Sequence, residues 1–187
     1  LRAHTAQAHR ALECTPLMDA VAAGLPDKAT YGAYLAAQWQ LHEPLESALA
    51  PWLSAEQAAL RLVKTAWLTH DLRALGHALP PTVAAVQVPR SWSQALGVLY
   101  VLEGATLGLQ MVRRQLPASH PGRGTAGRFF QAYGERTGPL WAGFLRLLEE
   151  LEPAAWASAC DAAQGAFESF LTVFNQALNS QVPAARA

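Results

Sequence analysis

The chain has 187 residues, in which 14 Lys and Arg balance 14 Asp and Glu, and 51% is hydrophobic against 15% charged. That length suits one domain with a sizeable core. Zero formal charge argues against a general nucleic-acid binder or a polybasic membrane-surface protein. Two cysteines, Cys14 and Cys160, are too few for a disulfide scaffold, so a reducing, cytoplasmic setting is expected. Polar residues break every apolar run before about 18 positions, so no membrane-spanning helix is expected. No basic-then-apolar leader opens the chain, and a start at Leu1 is read as a trimmed N-terminus.

Ala, Leu, Gln, Arg and Glu dominate, and the apolar members recur at three-and-four spacing, which predicts helix throughout. A first helix is expected from Arg2 to about Cys14, ended by the approach to Pro16. The second starts at Asp27, an N-cap, and carries Tyr31, Tyr34, Leu35, Gln38 and Leu41 at helical intervals. Pro44 predicts a kink or break within it. Ser54 and Gln57 have capping-box spacing and open a third helix ending near Gly76. A proline-rich connector from Leu79 to Arg90 follows. Ser91 or Ser93 caps a long fourth helix that persists to Leu116. A loop over Pro121–Gly127 leads to helices from Arg128 to Arg136, Pro139 to Leu151 and Pro153 to Asn179. The expected domain is 1–179, with 180–187 a frayed tail. No alternating strand run or internal repeat occurs, so the expected class is all-α, with about seven helices.

The fourth helix is unusual because Gly97, Gly104 and Gly108 lie inside it. Each costs about 1 kcal/mol relative to Ala, and all three fall within about 40° of one another around the axis. Such a stripe serves either close helix packing or the approach of bare backbone to a flat ligand. His9 on the first helix has two readings as well. It is an ordinary surface or core histidine, or it ligates one face of a haem whose other face needs a helix without side chains to admit O2.

Arg2-x-x-Thr5-x-x-x-His9-x-x-x-Glu13, followed by Tyr100-Val-Leu-Glu-Gly104-Ala-Thr-Leu-Gly108, resembles the bacterial haem oxygenases. The closest type is the one that supplies biliverdin to bacteriophytochromes. Tyr31–Glu46, Phe129-Phe130-x-x-Tyr133-Gly134, Trp141-x-x-Phe144 and the Phe167/Phe174 pair fit the same pattern. The resemblance implies a single-domain helical bundle with haem between the first and fourth helices. It implies that His9 is the proximal iron ligand and that the backbone of Gly104 and Gly108 lies over the iron. Arg2, Arg146 and Tyr133 are then candidates for the haem propionates. Glu13 would orient the free ring nitrogen of His9. Phe167 and Phe174 would be pocket walls, though they also stand as core aromatics at i,i+7.

The implied reaction uses haem as substrate and cofactor, O2, and electrons from an external donor such as a ferredoxin or reductase. Its products are biliverdin, CO and Fe2+. No nucleic acid or membrane is an expected partner. Two positions depart from the family pattern: Ala105 replaces a Ser or Asp, and Leu109 replaces a Gly. Ala105 cannot hold a distal water, a task left to Thr106 or Gln110, and Leu109 would add bulk near the haem. A non-degrading haem carrier or sensor is the alternative, and a helical interaction domain without haem a third.

Other signals are weaker. No Glu lies three residues before a His, which excludes a di-iron bundle. His70 and His77 lack a third zinc ligand in sequence. Neither cysteine has a setting that would activate it as a nucleophile. The 122–127 loop lacks the Lys and preceding strand of a phosphate loop. Arg113 and Arg114 read as the polar flank of a helix, or as part of a docking surface for the electron donor.

Overall fold

A computed structural model describes residues 1–82 and 86–178. Helix α1 (Arg2–Glu13) ends at Cys14, as the sequence predicts. The next element, α2 (Pro16–Ala22), was not expected. Thr15 caps it by accepting the Met18 N–H at 3.4 Å, and Pro16 occupies the first turn, where a missing N–H breaks no helical hydrogen bond. Buried Leu17 and Val21 fasten it to the core. Helix α3 (Lys28–Leu49) is capped by Asp27, whose carboxylate accepts the Thr30 N–H at 2.7 Å. It runs through Pro44 without a break.

The expected third helix is two helices, α4 (Ala55–Arg61) and α5 (Lys64–Ala74). The Ser54–Gln57 capping box opens α4 as predicted. The chain leaves helical geometry at Leu62 (φ −92°, ψ 64°) and restarts because Glu46, on α3, accepts the N–H groups of Lys64 at 2.8 Å and Thr65 at 3.2 Å. A carboxylate 18 residues away thus caps α5. Local sequence could not reveal that.

Helix α6 (Trp92–Gln115) is capped by Ser91 and matches its prediction. The expected helix from Arg128 to Arg136 is instead two short 3-10 turns, Phe129–Gln131 and Gly134–Arg136. Between them Ala132 has φ +47°, a conformation costing roughly 1–3 kcal/mol for a residue with a Cβ. Fully buried Asp71 offsets that cost by accepting the N–H groups of Arg128 at 2.9 Å and Phe129 at 2.8 Å. Helices α7 (Thr137–Glu149) and α8 (Trp156–Gln176) complete eight α-helices among the described residues, which contain no β-strand. The last helix was expected to reach Asn179, which lies outside the described residues, as does the 180–187 tail.

Helix α8 organises the bundle, packing against α1, α3 and α6, while α3 also packs on α5. By length and composition α6 could cross a membrane, contrary to the sequence expectation, yet 56% of that apolar stretch is buried inside the fold. It is the core helix of the bundle.

Candidate functional site

The three glycines of α6 have different surroundings. A Cβ at Gly97 would collide with the backbone carbonyl of Ala159, so this glycine lets α6 and α8 touch backbone to backbone. At Gly104 a Cβ would make an ordinary contact with the Trp141 indole, 3.6 Å away on α7. At Gly108 nothing lies within 4 Å. Packing therefore explains Gly97 and does not explain Gly108. There α6 has helix-weakening residues, no neighbour that requires them, and exposed Leu107 and Met111 on the same stretch.

His9 projects from α1, which also packs against α8, with 58% of its side chain exposed. Its Nδ1 lies 3.4 Å from a Glu13 carboxylate oxygen one turn on, and its ring meets Phe167 edge-on at 5.8 Å. The nearby Glu13 carboxylate favours the tautomer with its proton on Nδ1, which leaves the Nε2 lone pair available to a metal. That donor chemistry suits a haem iron.

Arg2 and Arg146 are exposed on α1 and α7, free to move toward an anionic group. Phe174 stands deep in the core beside Tyr34 and Phe170, whereas Phe167 touches His9. Tyr133 corrects its sequence assignment. It is 7% exposed, its hydroxyl donates to Glu103 at 2.8 Å and accepts from Lys64 at 2.6 Å, and it has nothing left for a propionate. Burial and the neighbouring Glu103 carboxylate push its pKa upward, so it stays a neutral donor.

Leu109 is buried in the core, about 100° round the helix from Gly108, and so does not crowd the bare face. Ala105 is exposed. Neither suggested substitute for its missing hydroxyl is free. Thr106 donates to the Glu103 carbonyl at 2.6 Å, and the Gln110 amide donates to the Gly134 carbonyl at 2.7 Å. Among the described residues, no three His, Cys, Asp or Glu groups cluster to hold a metal ion.

The sequence reading missed a buried ionic cluster beside Gly104. Glu103, 1% exposed, accepts from Arg61 at 2.9 Å through one carboxylate oxygen. The other oxygen accepts from Lys64 at 2.5 Å and from Tyr133. Lys64 spends its third ammonium proton on the Arg61 carbonyl at 2.8 Å. Every strong donor and acceptor is matched, as burial of charge requires. The available signal was Glu103 itself, the only charged residue between Trp92 and Gln110.

Comparison with known proteins fits this arrangement. The heme oxygenase family model matches residues 1–176. The chain belongs to the heme oxygenase family. A relative from Xanthomonas campestris pv. campestris, named heme oxygenase, is 34% identical over 167 residues, covering 83% of this chain and 95% of that protein. The fold resembles the heme oxygenase structure from Leptospira interrogans, with a TM-score of 0.71 and 17% identity, covering 94% of this chain and 97% of that one. Against that family, the two halves of α6 separate cleanly: the Gly97 end is scaffold, and the Gly108 end is where bare backbone is available.

Proposed function

We propose that the protein is a haem oxygenase that opens haem to biliverdin, CO and Fe2+, with haem lying between His9 and the Gly104–Gly108 backbone. The observation that carries this reading is the empty surround of Gly108 in a chain of this family. When bound, haem supplies the O2 activation and is itself the molecule oxidised. His9 offers Nε2 to the iron, Glu13 fixes the ring tautomer, and Phe167 limits ring rotation. Arg2 and Arg146, both exposed, would neutralise propionates at the haem edge. Gly104 and Gly108 leave room for a small diatomic ligand over the iron and keep bulky side chains off that face. Electrons come from an external donor such as a ferredoxin or reductase. The low cysteine count supports a cytoplasmic location, and the sequence resemblance supports delivery of biliverdin to a bacteriophytochrome.

Ala105 favours a second reading, a haem carrier or sensor that does not degrade its ligand, because no hydroxyl stands at that position. One experiment separates the two. Hemin is added to the apoprotein, then ascorbate and O2, and the Soret band is followed. An oxygenase forms the band and bleaches it to biliverdin; a carrier forms it and keeps it. Absence of any Soret band would sink both. His9→Ala should lose the axial imidazole spectrum and reduce turnover on the order of 10²-fold. An unchanged spectrum would move the ligand to His4.

A further inference from the structure

Glu103 and Gly104 are adjacent on α6, and so are Leu140 and Trp141 on α7. Gly104 looks onto the Trp141 indole at 3.6 Å. On the residues just before them, Arg61 bridges the same two helices, donating to Glu103 at 2.9 Å and to the Leu140 carbonyl at 3.3 Å. Lys64 and Tyr133 hold the remaining carboxylate oxygen. Four side chains from α4, α5, α6 and the turn before α7 therefore converge one residue away from the place where bare backbone meets Trp141. The Arg61 guanidinium also lies over the Phe144 ring, 5.7 Å from its centroid, which ties a second point of α7 to the cluster.

Glycines make α6 easy to bend and rotate where the cluster grips it. A helix held only by apolar contacts can turn by some degrees at little cost, because such contacts are non-directional. A carboxylate held by three donors cannot, since each hydrogen bond weakens steeply with angle. We propose that the Arg61–Lys64–Glu103–Tyr133 cluster is a positioning device that fixes the rotation of α6 and its distance from α7, and thereby sets which porphyrin edge lies over the Gly104–Gly108 backbone. The proposal rests on the haem oxygenase reading of that backbone. It makes Glu103 a positioning residue, acting through Gly104 and not touching the substrate.

Glu103→Gln tests it, because the amide keeps the shape and loses the charge that holds Lys64 and Arg61. Wild-type protein is first shown to form and bleach the Soret band, so failure of the oxygenase reading is seen before the variant is made. Product isomers are then separated from both proteins. The minor biliverdin isomers of Glu103→Gln should rise about fivefold, equal to about 1 kcal/mol in the preference between two haem seatings. In the apoprotein, hydrogen exchange at the Gly104–Gly108 amides should speed up about tenfold while that of α8 is unchanged. Tyr133→Phe, which removes the hydroxyl's hydrogen bonds to Glu103 and Lys64 but no charge, should move both readouts in the same direction by less, and serves if Glu103→Gln does not fold. Leu17→Ala, a core truncation in α2, should lower the melting temperature and leave the isomer ratio alone. Unchanged isomers and exchange in the cluster variants, or an equal isomer shift in Leu17→Ala, would overturn the proposal.

Discussion

Gly97 and Gly108 lie on one side of the same helix and have the same missing side chain, yet their surroundings are opposite. At Gly97 a neighbouring backbone occupies the space that a Cβ would need. At Gly108 that space is open. In sequence they form a single stripe, and a packing explanation fits both equally well. The structure divides them, because packing accounts for a glycine only where another element comes close. The contrast extends to the histidines. His42 is 1% exposed, its Nδ1 2.8 Å from the Gln38 carbonyl and its ring edge-on to Phe129 and Phe170. His9, whose side chain is 58% exposed, has one ring nitrogen near a carboxylate.

The largest effect that would break this comparison is at the packed end. Gly97→Ala should destabilise the protein by about 1–3 kcal/mol in urea unfolding, because α6 must move away from Ala159 to admit the methyl group. A neutral or stabilising result would remove the close approach of the two helices.

The buried histidine should show a smaller, pH-dependent effect. Burial pushes the His42 pKa down to about 3, well below its ordinary value of 6.5. The unfolded chain therefore binds a proton that the folded chain refuses, and stability is lost as pH falls through 6.5. Between pH 6.5 and 5.5 the loss from this group should be about 1 kcal/mol. His42→Leu should flatten the stability profile over that interval by this amount. Buried Glu46, whose pKa is raised by desolvation, contributes with the opposite sign, and because it is present in both proteins the comparison of His42→Leu with wild type isolates the histidine.

The smallest effect belongs to the open end. Gly108→Ala should stabilise the apoprotein by about 0.5–1 kcal/mol, the ordinary helix-propensity gain, since its methyl group meets nothing. Hemin uptake should nevertheless weaken or the ferric spectrum shift. A variant that is more stable and binds hemin as before would leave the bare backbone at Gly108 without a role.

Much of the fold was legible in the chain. Caps at Asp27, Ser54 and Ser91 marked helix starts correctly, because a short polar side chain and its N–H acceptor lie within three residues of each other. Helix α2, capped locally by Thr15, was missed as well, but the other errors in helix boundaries involve distant partners. Helices α4 and α5 separate because Glu46 caps Lys64 from another helix, and the 128–136 segment is held in two tight turns by Asp71. The residues of the proposed site, His9, Glu13, Gly104 and Gly108, were named from motif spacing and resemblance. Tyr133 was misassigned because a phenol's partner cannot be read from its neighbours in the chain.

The sequence alone determined an all-α class, most helix boundaries and the haem oxygenase resemblance. These are local properties, set by period, capping and motif. Only the tertiary structure decided which glycine packs and which lies bare, that Tyr133 belongs to a buried ionic cluster, and that Glu103 is gripped one residue from Gly104. Those facts depend on which side chains converge from separate helices, and convergence of Arg61, Lys64, Glu103 and Tyr133 across 72 intervening steps of chain is fixed by packing, not by any local preference.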